Sequence, residues 1–203
     1  MDIFLQQIIN GLVLGSIYAL VALGYTMVYG ILGLINFAHG DIVKVGALTA
    51  LSVIAGLAGG AVPAPLILGL ALFAAILVCV ALGVSIERVA YRPLRRAPRL
   101  APLITAIGVS ILIQYTAALI WSKQYIALPE IIRPSQFTLA GASFTDLQLF
   151  IFVLACGVMA GLLWFLKHTR LGKAMRASEQ SPDVAGLMGI DVNRVIAFTF
   201  LLG

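Results

Sequence analysis

Charge is what this sequence has least of. Asp, Glu, Lys and Arg make up only 10% of its 203 residues, against 62% hydrophobic residues and a mean hydropathy of +1.08. A soluble fold of this length has no interior large enough to hide so much apolar surface from water. Lipid can take the place of water, but backbone groups must then be satisfied within the spanning structure, which leaves helices or a closed barrel. Barrel strands alternate in segments of about 10 residues. The apolar runs here do not alternate and are far longer, so the expected fold is all-α, a polytopic helical membrane protein with about six spans over residues 1–203.

Other absences narrow the chemistry. There are two cysteines, Cys79 and Cys156, both inside apolar runs. They form no metal spacing and no evident disulfide, and read as small packing residues. No metal site and no cofactor are expected. Paired carboxylates and a nucleophile–base motif are lacking, which argues against an enzyme. No GxxxxGK[ST] sequence occurs, so phosphate chemistry would have to lie on another chain. The start, MDIFLQQ, has no basic n-region, so the first helix is expected to stay in place.

What cationic charge there is comes in clusters. Arg88, Arg92, Arg95, Arg96 and Arg99 form one group, and Lys167, Arg170, Lys173, Arg176 and Arg194 another. Only Lys44, Lys123 and Arg133 lie elsewhere. Basic loops between apolar runs are how a polytopic membrane protein records its cytoplasmic side. The net charge of +5 therefore points to orientation and anionic headgroups of membrane lipid, not to nucleic acid.

The runs themselves set the expected order. No charge occurs over residues 3–38, which fits either one tilted helix from Ile8 to about Ile31 or a broken or re-entrant one loosened at Gly30, Gly33 and Asn36. Gly11 and Gly15 make a weak GxxxG contact motif. Further spans are expected at Val43–Leu57, Leu66–Ile86, Leu103–Trp121 and Leu147–Leu166. A sixth run begins at Val195 and stops at Gly203, so the sequence looks C-terminally truncated. Residues 87–102 read as a basic cytoplasmic loop and 122–146 as an extracytoplasmic loop. The parity puts the N-terminus outside, unless the first run turns back on itself.

Residues 171–194 carry dense punctuation. Ser181 suits an N-cap, Pro182 the first helical position and Asp183 the positive helix end. Gly189 suits a stop, and Asp191 the cap of the next helix. Such a helix has about two turns and is too short to be stable alone. Val184, Leu187 and Met188 form an i, i+3, i+4 apolar set. Two readings follow: a helix lying on lipid or on its own bundle, or a knob seated in a groove of a cytoplasmic partner.

Three long patterns, GYTMVYGILGLINFAHGD, ERVAYRPLRRAPRLAPLITAIG and LGKAMRASEQSPDVAGLMGIDVNRVIAFTF, occur in this order. Together they resemble the branched-chain amino-acid ABC transporter permease family, LivH-type, over essentially the whole chain. The resemblance implies a transmembrane subunit of an importer in the bacterial inner membrane. It further implies a second homologous permease, two cytoplasmic ATP-binding subunits and a periplasmic substrate-binding protein. In that setting Ser181–Gly189 resembles the coupling helix that receives the motion of the ATPases. Related permeases import urea or short amides, which keeps a second cargo class open. An ion-coupled secondary carrier would need an acidic residue deep in a span, and none is evident in the runs.

Polar residues within the runs supply the remaining candidates. Asn36, His39 and Gln114 are the expected contributors to a translocation path, because polar groups at membrane depth usually face a cavity or a partner. The alternative for the first two is an interfacial turn, with Asp41 as N-cap and Lys44 snorkelling to the surface. Ser110 is one of several span residues able to hydrogen-bond between helices.

Overall fold

The computed structural model describes residues 2–33, 35–60, 62–94, 97–98, 100–121, 136–139 and 142–203. Arg95, Arg96, Arg99, Lys123, Arg133 and most of the expected loop 122–146 lie outside the described residues.

The N-terminal run forms one unbroken helix, α1 (Asp2–Leu32). With no charge or proline to interrupt it, the helix begins before Ile8. Its 31 residues extend about 46 Å, more than the roughly 30 Å of a bilayer core. It must therefore tilt or emerge from the hydrocarbon. Gly33, at φ 62°, ends it and donates its N–H to the Tyr29 carbonyl at 2.8 Å. The break anticipated near Gly30–Asn36 thus lies after α1 rather than within it. The Asn36 side chain accepts from the Ala38 N–H at 3.2 Å, a local turn that starts the next helix early.

That helix is α2 (His39–Leu57), with Ala38 at its N-cap. Asp41 therefore sits in the first turn and not at the cap expected for it. Pro63 holds an extended conformation before α3 (Ala64–Ile86), which leans on α2 through a close glycine contact. A Cβ at Gly46 would lie 2.5 Å from Cys79 Sγ.

Beyond α3 the chain stays helical, through a π-turn (Glu87–Tyr91) and a 3₁₀ turn (Arg92–Leu94). Residues 87–94 of the expected basic loop are thus structured. Tertiary burial is the reason: Glu87 and Tyr91 are each only 2% exposed, and Pro93, with no N–H to give, then marks the stop.

The fourth long helix is α4 (Leu100–Trp121). A two-stranded antiparallel hairpin follows, β1 (Gln136–Leu139) and β2 (Ala142–Thr145), with Phe137 opposite Phe144. Thr145 and Gln148 form a capping box that starts α5 (Asp146–His168), satisfying donors at the helix entrance reciprocally. Three shorter helices complete the order: α6 (Arg170–Gln180), α7 (Pro182–Leu187) and α8 (Val192–Leu202).

Five of these helices, α1 to α5, are long and apolar enough to cross a membrane, and α8 is a shorter apolar helix. The molecule is a polytopic all-α membrane protein with one small hairpin. Its side chains define two ends. At one, Gln6 of α1 donates Nε2–H to the Ser143 carbonyl at 2.8 Å, and the Ser143 N–H returns a bond to Gln6 Oε1 at 2.8 Å. At the other, Glu179 of α6 lies against Gly30, and Tyr91 reaches Asn36. This second end carries Arg88, Arg92, Lys167, Arg170, Lys173, Arg176 and Arg194. The single crossing by α1 thus places the N-terminus at the end opposite the basic segments.

Candidate functional site

The basic end presents a hinged pair of short helices. Thr169 caps α6, its Oγ accepting from Gly172 N–H at 3.0 Å. Gly172 lets α6 fold against α5, because a Cβ there would come within 2.5 Å of the Leu166 backbone. Gly172, Met175 and Ser178 face inward while Lys173 and Arg176 face out. The three-residue spacing of those inward positions, behind Thr169, is the signal for α6 that the emphasis on Ser181 obscured.

Ser181 caps α7, its Oγ accepting from Val184 N–H at 3.4 Å. Pro182 occupies the first helical position, and Asp183 lies in the first turn. Gly189, at φ 82°, closes the helix. Its N–H bonds Gly186 O at 3.1 Å while Ile190 N–H bonds Ala185 O at 3.0 Å, the paired bonds of a Schellman motif. Asp191 then accepts from Asn193 and Arg194 N–H at the start of α8. The caps expected at Ser181, Gly189 and Asp191 are in place.

What α7 packs with is a single methyl. Ala185 is 3% exposed, whereas Val184 is 56%, Met188 79% and Leu187 87% exposed. The apolar set read from the sequence therefore points away from the bundle. A helix held at both ends with its apolar side chains turned outward can seat them in a partner's groove or in lipid, but does not bury them in its own core.

Of the three path candidates, the structure brings two together. Asn36 and His39, both buried, line a cavity of about 230 Å³ with Val28, Ile42, Cys79 and Phe200 among its walls. Asn36 Oδ1 accepts from Tyr91 Oη at 3.1 Å. The His39 ring meets Tyr25 edge-on at 5.9 Å. Tyr91 in turn packs on Phe200 at 5.4 Å, so the helix that follows α7 abuts the junction of α1 and α2.

Gln114 is elsewhere, on the seam between α2 and α4. Its Nε2 donates to Asp41 Oδ2 at 3.2 Å and to Ser110 Oγ at 3.1 Å. Ser110 Oγ donates a short bond to the same Asp41 Oδ2. Ten residues precede Ser110 in α4 and eleven follow it, so Asp41 is tied to the middle of a span. The same two helices meet again at Trp121 Nε1 and Ser52 Oγ, 2.6 Å apart, with the same sequence separation of 69 residues. They are therefore parallel and in constant register. The sequence shows Asp41 and Ser110 as separate polar residues, and only this register unites them. Among the described residues no cluster of His, Cys, Asp and Glu could hold a metal ion.

Comparison with known proteins assigns this architecture. The family described as branched-chain amino acid transport system / permease component matches residues 7–203. Among curated relatives, the high-affinity branched-chain amino acid transport system permease protein BraD of Pseudomonas aeruginosa is 45% identical, over 98% of this chain and 67% of its own length. The corresponding LivH proteins of Escherichia coli and Salmonella typhimurium are 43% and 42% identical, with the same coverage of each chain. No solved structure matches the chain. The chain belongs to the permease-component family of branched-chain amino acid transport systems.

Proposed function

We propose that this chain is the membrane-spanning permease subunit of an ATP-binding-cassette importer, translocating branched-chain amino acids across the bacterial plasma membrane. The cargo assignment rests on the names of its relatives, each a high-affinity branched-chain amino acid transport permease. Its partners would be a second homologous permease, two cytoplasmic ATP-binding subunits and a periplasmic binding protein. The basic end, with α6 and α7, would face the cytoplasm.

The observation that carries the mechanism is α7, capped at both ends and exposing Val184, Leu187 and Met188. Seated in a groove of an ATP-binding subunit, those side chains would receive its closure. Domain closure of this kind is a rigid-body displacement that needs a stiff point of contact. Ala185 and the contact of Phe200 with Tyr91 offer a route from that contact to the α1–α2 junction.

Replacing Leu187 and Met188 with Asp tests the reading. The variant should insert and assemble normally at the level of the spans, yet lose at least about tenfold of ATP-driven leucine uptake, since two buried apolar anchors are each worth about 1.5 kcal/mol or more. Uptake equal to the wild type would refute the coupling role. The tie between Asp41 and mid-span Ser110 favours one rival, an ion-coupled carrier. That rival requires the purified chain to transport without ATP.

A further inference from the structure

We propose that Asp41, with Gln114, forms a transient site for a primary ammonium group, that of the amino-acid cargo as it crosses. The inference rests on the transport reading above and deepens it by naming the chemistry of one step along the path.

The hydrogen-bond inventory at the α2–α4 seam selects the ligand. Ser110 donates to Asp41 Oδ2, and Gln114 divides its two N–H donors between that oxygen and Ser110 Oγ. Among the described residues no donor reaches Asp41 Oδ1 or Gln114 Oε1. Two acceptors are left open, and one belongs to a carboxylate. No ion pair joins Asp41 to a described cation, Lys44 on the same helix included. Side chains with open acceptors and a formal negative charge suit an ammonium, which brings three N–H donors and one positive charge.

Position agrees with chemistry. Asp41 is half-buried and Gln114 exposed, so the seam opens outward from this chain. A carboxylate opening onto hydrocarbon is costly and is found instead toward water-filled paths or partners. The cargo's apolar side chain needs no polar partner. The open seam makes the site fit for brief occupancy, with two acceptors on one flank of the ligand rather than an enclosing cage.

The test uses the whole importer, reconstituted with its partners in vesicles. Asp41→Asn keeps shape and removes the charge. It should lower ATP-driven leucine uptake at least about tenfold, the worth of one charge-assisted hydrogen bond, while Asp41→Glu restores part of it. A second readout reports the field directly. Gln114→Cys, placed in a chain whose Cys79 and Cys156 are serine, should react faster with a cationic methanethiosulfonate than with an anionic one. Asp41→Asn should abolish that preference, and leucine delivered by the binding protein should slow the reaction.

Uptake by Asp41→Asn equal to the wild type overturns the proposal. So does a Gln114→Cys thiol that reacts in the isolated chain but is sealed in the assembled importer, because the seam is then a subunit interface. Should Asp41→Asn fail to assemble, the charge preference at Gln114→Cys, read with Asp41 intact, decides. A wild-type importer that moves no amino acid would sink the functional reading instead, a result distinct from either of these.

Discussion

Gly46 and Cys79 show what a single methyl group decides in this protein. The sulfur of Cys79 occupies the space that a Cβ at position 46 would need, at 2.5 Å, and also approaches the Ile42 carbonyl at 3.6 Å. Gly46→Ala should therefore destabilise the chain by about 1–3 kcal/mol through overpacking. Adding Cys79→Ala should recover most of that loss, and thermal unfolding of the detergent-solubilised chain measures both. The sequence reading of Cys79 as a packing residue agrees with its place. The Gly11–Gly15 motif does not predict a close contact, because nothing lies within 4 Å of a Cβ at either position. Close approach occurs at Gly24, Gly46, Gly83 and Gly172 instead. Which glycine meets a neighbour depends on the face each helix turns inward, and spacing along one helix carries no record of that. The same limit hid the union of Asp41 with Ser110 and Gln114, which are 69 and 73 residues apart.

The ends of α7, set by local chemistry, were legible; the local caps of α2 and α6 and the turn set by tertiary burial after α3 were not. Ser181, Gly189 and Asp191 bracket α7 through bonds spanning two to five residues, so their roles could be read from the sequence alone. The π-turn over Glu87–Tyr91 could not, since it exists where Glu87 and Tyr91 are buried against other helices. The positive φ of Gly189 gives the α7 stop a specific test. Gly189→Val forces a branched side chain into the left-handed region at about 1–2 kcal/mol. The expected result is faster amide hydrogen exchange over α7, confined to that element and its link to α8. Exchange unchanged there would mean that the stop does not depend on glycine.

For the whole molecule, α1 passes once from the end holding Gln6 and Ser143 to the end holding Glu179. On the proposed orientation, with the basic end in the cytoplasm, cysteines introduced at Ser143 and Lys173 should differ absolutely in access. An impermeant thiol reagent should label Ser143→Cys from the periplasmic side of intact spheroplasts and reach Lys173→Cys only after lysis. Labelling in the reverse order would invert the topology. The positions of the five long apolar helices were legible because lipid imposes a length on every crossing; the way the spans lean on each other was not. One joint has a mechanical meaning. The reciprocal bonds of Gln6 and Ser143 tie the start of α1 to β2, the strand that leads into α5, while the close packing at Gly172 sets α6 against the other end of α5. On the proposed coupling role, a displacement received by α6 would act on a rod about 34 Å long that is held at its far tip, and would reach that tip as tilt.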